Sequence, residues 1–221
     1  MYDIYETKER VTADNEKVAE NTRKVLKEKN VFFVNLMASP GSGKTTLLCR
    51  TIEALKERYR IAVMEADVDS DVDAKKIADL GVKVIQLHSG GLCHMDADMT
   101  YRGLEKMGVD DVDLVFLENI GNLVCPAEFD TGANKKVMIL SVPEGDDKPL
   151  KYPLMFQVSD VVLINKIDTK VIFDFDEDRF EQNVRIQNKS AEIIPLSAKT
   201  GEGFDKWINW LVKAVEEGRN A

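Results

Sequence analysis

The chain has 221 residues, 44% of them hydrophobic, which suits one sizeable α/β domain spanning residues 1–221. Its formal net charge of −9 argues against an electrostatic nucleic-acid binder. No apolar run reaches the ~18 residues of a transmembrane helix, the start MYDIYETKER is too polar for a secretory signal, and three cysteines are too few for a disulfide framework. We therefore expect a cytoplasmic protein with neither nucleic acid nor membrane as a partner.

The first predicted element is an amphipathic helix over residues 8–29, with Val11, Val18, Val25 and Leu26 at helical spacing. Strand-like apolar runs then recur along the chain, at 31–37, 61–66, 82–87, 112–117, 137–142, 160–165 and 192–196. Several are continuously apolar, which is typical of parallel strands covered on both faces. Helix-like segments lie between many of them, so the pattern predicts an α/β fold with a mostly parallel, doubly wound sheet and helices on both faces.

The last predicted helix is GFDKWINWLVKAVEEG, residues 203–218. Six apolar residues fall at helical spacing in it: Phe204, Trp207, Ile208, Leu211, Val212 and Val215. We expect this helix to pack on the core.

The stretch MASPGSGKTTLL, residues 37–48, is close to the phosphate-binding pattern G-x-x-x-x-G-K-[ST] of P-loop NTPases, with Ala38 in place of the first glycine. It lies between a predicted strand and a helix-like segment, where backbone N–H groups and the helix dipole bind anions. Lys44 is expected to reach the β- and γ-phosphates, and Thr45 to place its hydroxyl on Mg²⁺. The predicted phosphate-binding residues are Gly41, Ser42, Gly43, Lys44, Thr45 and Thr46.

The base is predicted to be guanine, because the strand VVLI runs into Asn165-Lys166-Ile167-Asp168, an N-K-x-D pattern. The Asp168 carboxylate can accept from both N1–H and the 2-amino group of guanine, whereas adenine offers neither donor. Asn165 is expected to tie this loop to the phosphate loop, and the Lys166 stem to cover the base. Downstream, Ser197, Ala198 and Lys199 begin SAKTG, which resembles the GTPase loop whose backbone N–H contacts the guanine oxygen.

A Mg²⁺ site and a γ-phosphate sensor are expected at two further strand ends. Glu118-Asn119-Ile120-Gly121 resembles the D-x-x-G element of GTPases, with Gly121 offering its N–H to the γ-phosphate. Asp67 and Glu118 are the candidate Mg²⁺ carboxylates with Thr45, and the predicted catalytic set is Lys44, Asp67, Glu118 and Gly121. The alternative is that both carboxylates merely face water at strand ends.

The acidic run DVDSDVD, residues 67–73, fails as a calcium loop, because Val72 and Ala78 stand where glycine and glutamate are needed. We interpret it as a mobile switch segment. No glutamine is evidently placed to orient water and no arginine to act as a finger. We therefore expect slow intrinsic hydrolysis, completed by dimerisation or by a partner.

Cysteine and histidine cluster near these switch elements, with Cys93 and His94 adjacent and Cys125 four residues after Gly121. Thiolate and imidazole suit Zn²⁺ and Ni²⁺. Three ligands do not close a tetrahedral site, so a subunit interface could supply more; the alternative is a loop pair without metal. Cys49 is predicted to be a small core residue, and His88 is assigned no role.

Six stretches together resemble one family, the HypB nickel-incorporation GTPases of hydrogenase maturation, from about residue 15 to about residue 215. They are SPGSGKTTLL, EADVDSDVDA, SGGLCHMDADM, LENIGNLVCPAEFD, SVPEGDDKPLKYPLMF and VVLINKID. The resemblance implies a SIMIBI-class P-loop GTPase that forms a GTP-dependent homodimer. It also implies an interface metal site for Ni²⁺ or Zn²⁺ on Cys93, His94 and Cys125, and it makes Ala38 an ordinary variant.

The implied function is GTP-driven nickel insertion into the hydrogenase large-subunit precursor. Some members carry a Cys-rich or His-rich N-terminal nickel motif, which MYDIYETKER lacks; a HypA-type metallochaperone is then the expected nickel source. The alternatives are a urease-type nickel GTPase, a scaffold in which GTP locks a zinc-bridged dimer, and a small-molecule kinase. EGDDKPLKYP and the Cys-His pair favour the hydrogenase branch over urease, and N-K-x-D counts against the kinase.

Overall fold

The computed structural model describes residues 7–67 and 71–220, with side chains from residue 13 onward within those ranges. Seven strands form near all seven predicted positions. They are β1 Phe32–Ala38, β2 Ile61–Asp67, β3 Lys83–His88, β4 Leu114–Glu118, β5 Lys135–Ser141, β6 Val161–Asn165 and β7 Glu192–Pro195.

Nine α-helices connect and flank these strands in the described residues. They are α1 Thr7–Glu28, α2 Lys44–Leu55, α3 Val72–Ala78, α4 Ala97–Met107, α5 Cys125–Glu128, α6 Lys148–Lys151, α7 Pro153–Gln157, α8 Glu177–Gln187 and α9 Phe204–Asn220. None of the helices in the described ranges is long and apolar enough to cross a bilayer.

The strands make one sheet in the order β3-β2-β4-β1-β5-β6-β7, and every neighbouring pair is parallel. The predicted doubly wound parallel architecture is therefore present. β1 lies between β4 and β5, so the chain winds away from β1 in both directions. In open α/β sheets of this kind, ligands bind in the crevice beyond the carboxyl ends of the strands at such a switch point.

Helices cover both faces of the sheet, which explains the continuously apolar strands. On one face, α2, α3 and α9 pack on a cluster centred on Val34 and Phe116. On the other face, α1 and α4 contribute to one cluster and α7 and α8 to another. Every residue of β1 and of β4 is buried, as expected for central strands.

The last helix packs on the core as predicted. Trp207 is fully buried, and its indole N–H donates to Thr51 Oγ1 on α2 at 2.9 Å. Two of the six apolar residues named from the sequence, Ile208 and Val212, are only partly buried and lie at the edge of the same cluster. Cys49 is half-buried against it, a more exposed position than a core residue would have.

The leading helix α1 packs against α4 and against the loop before β5. Asn15 Oδ1 accepts from the Ala97 N–H at 2.8 Å, and Arg23 forms two hydrogen bonds with Asp130. Leu26 is buried, while Val18 and Val25 are partly exposed. The side chain of Val11 lies outside the described residues.

Candidate nucleotide and metal sites

The phosphate loop occupies the switch point, between the end of β1 at Ala38 and the start of α2 at Lys44. Gly41 and Gly43 have φ of +76° and +96°, which bends the backbone around the space above the helix. A Cβ on Gly43 would lie 2.6 Å from Asn165 Nδ2, so this position has no room for a larger residue. The loop therefore has the left-handed backbone that a phosphate cradle requires.

A cavity of about 620 Å³ opens over this loop at the carboxyl ends of the central strands. It brings together residues from four segments that are distant in sequence. They include Gly41, Gly43, Lys44, Thr45, Thr46, Asp67, Glu118, Gly121 and Lys166, all of which the sequence predicted as site residues. Glu65, Asp73 and Lys76, which were not predicted, line the same cavity.

Thr45 lies among carboxylates. Its hydroxyl is 2.6 Å from Glu118 Oε1 and 3.0 Å from Asp73 Oδ2, and hydrogen-bonds to both side chains. Hydroxyl and carboxylate oxygens are the donor set that Mg²⁺ prefers. Asp73, in the first turn of α3, thus joins the expected pair, while Asp67 lines the cavity at the end of β2. Residues 68–70 of the predicted switch segment lie outside the described residues.

Glu65 is a buried carboxylate that the sequence reasoning missed. It lies directly opposite Glu118 in the pairing of β2 with β4, and each side chain is only 3% exposed. Burial, and then the charge of Glu118, raise the pKa of Glu65 to about 7. Burial likewise raises the pKa of Glu118 to about 6, against the hydrogen bond from Thr45 and the charge of Lys44.

The Oε2 atom of each of these glutamates is buried, and neither has a hydrogen-bond partner in the part of the chain that the structure describes. Two buried carboxylates with unmatched oxygens repel each other and lose hydration. A divalent cation at the cavity floor would offset both effects, so these residues fit Mg²⁺. A charged residue inside the apolar strand IAVMEA was the available sequence signal for Glu65.

The segment after β4 lies against the phosphate loop. Asn122 N–H donates to Ala38 O at 2.8 Å, and a Cβ on Gly121 would lie 3.0 Å from Pro40 N. Gly121 thus allows two backbones to approach closely. We expect a γ-phosphate held by the loop to lie within reach of this segment.

The predicted guanine-binding residues are joined by hydrogen bonds at the end of β6. Asn165 Nδ2 donates to Ser42 O at 2.9 Å, the link to the phosphate loop that the sequence suggested. The Ala198 N–H belongs to the SAKTG loop that is expected to contact the guanine oxygen. In this structure it donates to Asn165 Oδ1 at 3.0 Å. Ser197 Oγ donates to Asp168 Oδ1 at 2.6 Å and orients that carboxylate. Lys166 Nζ donates to Gly41 O at 2.6 Å, so its stem runs toward the phosphate loop.

The stretch EGDDKPLKYP also contacts the phosphate loop, which sequence reasoning did not foresee. The Ser39 hydroxyl donates to Glu144, whose other oxygen accepts from the N–H and hydroxyl of Ser141. Asp146, two residues on, is buried and binds Arg179 of α8 through two hydrogen bonds. The start of this segment is thus held to the phosphate loop and to α8.

The three predicted metal ligands form one cluster. The ligand atoms of Cys93, His94 and Cys125 all lie within 4.8 Å of one another, and the two sulfur atoms are 2.8 Å apart. The His94 ring stacks on Phe129, with ring centroids 4.0 Å apart, and burial lowers the pKa of this imidazole. A lowered pKa favours the neutral, ligating form. The hydrogen bond with Cys93 raises the pKa of Cys125, so a cation that binds this sulfur must displace its proton.

The segment after β4 joins this cluster to the nucleotide cavity. Asn122 Nδ2 donates to Cys93 O at 3.2 Å, and its Oδ1 accepts from Val124 N–H at 2.9 Å. Asn119 Oδ1 accepts from Met95 N–H at 3.3 Å. The loop that carries Cys93 and His94, the metal loop, is therefore hydrogen-bonded on both sides of His94 to the segment that lies on the phosphate loop.

Known proteins resemble this chain in sequence and in fold. The family model for the nucleotide-binding domain of CobW/HypB/UreG proteins matches residues 32–195. The crystal structure of the hydrogenase maturation factor HypB from Archaeoglobus fulgidus superposes with a TM-score of 0.86 at 39% identity, covering 92% of this chain and 99% of that one. This chain belongs to the HypB branch of the CobW/HypB/UreG family. The family expected from the sequence is thus confirmed.

Two further comparisons refine the relationship. HypB from Helicobacter pylori, solved in complex with nickel, superposes with a TM-score of 0.86 at 33% identity and covers 93% of this chain and 97% of that one. HypB from Azotobacter vinelandii is 44% identical over 201 residues, 91% of this chain, but the match spans 66% of that relative's own length.

Proposed function

We propose that this chain is a GTP-hydrolysing metallochaperone that assists nickel insertion into a hydrogenase large-subunit precursor. The observation that carries the proposal is the hydrogen-bonded segment from Glu118 to Val124, which contacts the phosphate loop on one side and the Cys93–His94–Cys125 cluster on the other. A nucleotide-dependent movement of this segment would reach the metal ligands directly.

Guanine selection is proposed for Asp168, which is held by Ser197 beside Asn165. Its carboxylate would accept from N1–H and the 2-amino group of guanine. Adenine would leave this acceptor unmatched, at a cost of about 1–3 kcal/mol per unsatisfied group. The Ser42–Asn165 hydrogen bond supports the proposal, because it connects the base-binding loop to the loop that holds the phosphates.

Hydrolysis is proposed to use Lys44 and the Gly121 N–H at the γ-phosphate, with Thr45, Asp73, Glu118 and Asp67 holding Mg²⁺. The metal ion would neutralise charge on the β- and γ-phosphate oxygens. Glu118 and Asp73 already converge on the Thr45 hydroxyl. Within the described residues, no glutamine or arginine lines the cavity over the phosphate loop. We therefore propose a slow intrinsic rate and completion of the site by a second copy of the chain.

Nickel is the proposed cargo, carried by Cys93, His94 and Cys125. Three ligands leave a tetrahedral site open, and Cys93 is exposed, so a second protomer could complete the site in a GTP-dependent homodimer. The nickel complex of the Helicobacter pylori relative supports this choice of ion, although Zn²⁺ suits the same ligands. A HypA-type metallochaperone is the proposed nickel donor, and the hydrogenase large-subunit precursor the acceptor.

The test measures Ni²⁺ affinity, Ni²⁺ stoichiometry and dimer fraction in the GDP state and with a non-hydrolysable GTP analogue. We expect affinity and dimer fraction both to change with nucleotide, affinity by about 5- to 150-fold, the usual range of coupling between sites. Both changes should vanish in Cys93→Ala/Cys125→Ala. Cys49→Ala is the matched control, because this thiol lies on α2 away from the cluster.

An affinity that is indifferent to nucleotide would contradict the proposal, because a ligand that binds two states equally cannot be moved by a switch between them. The metal would then be structural and the chain a GTP-locked scaffold. Phosphate release should be measured on the same samples, and a dilute monomer that turns over at tens per second would contradict the need for a dimer.

A further inference from the structure

Arg50 connects the helix of the phosphate loop to the loop that follows β7. It lies on α2, six residues beyond Lys44, and its Nη1 donates to two backbone carbonyls, Ala198 O at 3.0 Å and Lys199 O at 3.2 Å. The guanidinium also lies 5.3 Å from the centroid of the buried Phe204 ring, which limits its movement.

The loop is shaped around this guanidinium. Gly201 has φ of +90°, and a Cβ there would lie 2.4 Å from Arg50 Nη2. Glycine therefore supplies both the left-handed backbone and the space for the arginine. Arginine suits such a site because one nitrogen of its planar guanidinium can donate to two acceptors while the plane stacks on an aromatic face.

The two carbonyl contacts fix the direction of the intervening amide. In a trans peptide the N–H points opposite to the preceding C=O, so turning Ala198 O toward Arg50 turns the Lys199 N–H away from it. The next peptide has the same orientation: Lys199 O faces Arg50, and the Thr200 N–H points the other way and donates to Ser197 Oγ at 3.1 Å. Within the described residues, the Lys199 N–H donates to no acceptor, while the Ala198 N–H already donates to Asn165 Oδ1 at 3.0 Å.

We propose that Arg50 is a positioning residue for base recognition: it holds the peptide between Ala198 and Lys199 so that Lys199 N–H donates to the carbonyl oxygen of guanine. This inference rests on the proposed guanine-nucleotide binding and adds the residue that orients the SAKTG loop toward the guanine oxygen. Asp168 reads the N1–H and 2-amino edge, and the peptide held by Arg50 reads the oxygen. The two contributions concern different atoms of the base, so analogues can separate them.

The test compares the affinities of wild type and Arg50→Met for three nucleotides. GDP carries all the recognised groups, inosine diphosphate lacks only the 2-amino group, and 6-thioguanosine diphosphate replaces the oxygen by a weakly accepting sulfur. We expect Arg50→Met to lower the affinities for GDP and for inosine diphosphate by the same factor, roughly 3- to 10-fold, which corresponds to the loss of about one hydrogen bond. The affinity for the 6-thio analogue should fall much less. The ratio of the affinity for GDP to that for the 6-thio analogue should therefore decrease, while the ratio of the affinity for GDP to that for inosine diphosphate should stay the same.

Arg58→Met is the matched control, because Arg58 is an exposed arginine just after α2 that pairs with Glu216 and stacks on Tyr59, remote from the base loop. It should change none of the three affinities. Arg50→Lys keeps the charge but not the planar guanidinium that lies over Phe204, so we expect it to restore only part of the preference for oxygen over sulfur. Arg50→Lys also carries the test if Arg50→Met does not fold.

Equal weakening of all three nucleotides by Arg50→Met and by Arg50→Lys would overturn the inference, because a residue that only braces the loop does not distinguish oxygen from sulfur. An unchanged set of affinities in both variants would overturn it as well. If wild type binds ADP as tightly as GDP, guanine recognition itself fails, and that result is distinct because it appears without any substitution at Arg50.

Discussion

The buried Glu65 carboxyl should make the stability of the metal-free protein fall as pH rises. Its pKa of about 7 in the folded chain exceeds the ordinary 4.5, because it is buried opposite Glu118. Each pKa unit corresponds to about 1.4 kcal/mol, so ionising Glu65 costs the folded state about 3 kcal/mol, as an order of magnitude. Glu65→Gln removes the charge while keeping the shape of the side chain.

The sign follows from proton binding. Below about pH 4.5 the carboxyl is protonated in both states and contributes nothing. Between about pH 4.5 and 7 the unfolded chain has lost this proton while the folded chain keeps it, so folded stability declines with rising pH. Above about pH 7 the full cost is present. Glu65→Gln should therefore match wild type near pH 4.5 and exceed it by about 2–3 kcal/mol near pH 8.

Urea unfolding followed by circular dichroism, with chelator and without nucleotide, measures this difference across pH 4.5–8. Glu57→Gln is the matched control, since Glu57 is an exposed glutamate just after α2, and its effect on the free energy of unfolding should be small. A gain for Glu65→Gln that is equal at both ends of the range, or a loss near pH 8, would refute the account of Glu65 as a buried carboxyl that resists ionisation.

Three further predictions concern the base, the switch and the core. Asp168→Asn should lower the affinity for GTP about 10- to 100-fold, because one or two acceptor contacts are lost. It should raise the affinity for xanthosine triphosphate, whose 2-oxo group accepts from the new amide. An equal loss of affinity for both nucleotides in competition binding would contradict base reading by this residue. Gly121→Ala places a Cβ 3.0 Å from Pro40 N, so overpacking of about 1–3 kcal/mol should displace the phosphate loop and lower GTP affinity. Gly103→Ala is the control, because its Cβ would also lie 3.0 Å from its neighbours, but on α4 against Leu87 and Met64, so it should leave GTP affinity unchanged. Trp207→Phe loses the hydrogen bond to Thr51 and leaves a cavity, so urea unfolding should report a loss of about 1–3 kcal/mol without a change in nucleotide affinity.

The fold and the nucleotide loops could be predicted because their signals are contiguous in sequence. Continuous apolar runs separated by helical segments specify a parallel sheet, and all seven strands form near the predicted positions. The phosphate loop and Asn165-Lys166-Ile167-Asp168 each carry their chemistry within a few residues. Even the tie between Asn165 and the phosphate loop follows from this order of motifs, and it is present as the hydrogen bond to Ser42 O.

The site residues that sequence reasoning missed are brought to their partners only by the tertiary fold. Asp73 lies in an acidic run with three other aspartates, and only the start of α3 brings it to the Thr45 hydroxyl. In the sequence, Glu65 is only a charged residue within an apolar strand. Its proximity to Glu118 depends on the pairing of β2 with β4. No sequence motif identifies Arg50, because its contacts with Ala198 and Lys199 join residues that are far apart in the chain.

The coupling proposed between nucleotide and metal has a size that constrains how the metal site can work. Asn119 and Asn122 supply the hydrogen bonds to the metal loop, each worth about 0.5–1.5 kcal/mol, so this path transmits about 1–3 kcal/mol. That changes nickel affinity by at most about 150-fold. A site that held nickel very tightly in one nucleotide state would still hold it in the other. The open, three-ligand cluster therefore suits transfer between partners, since a weak site is the kind that a switch of this size can empty.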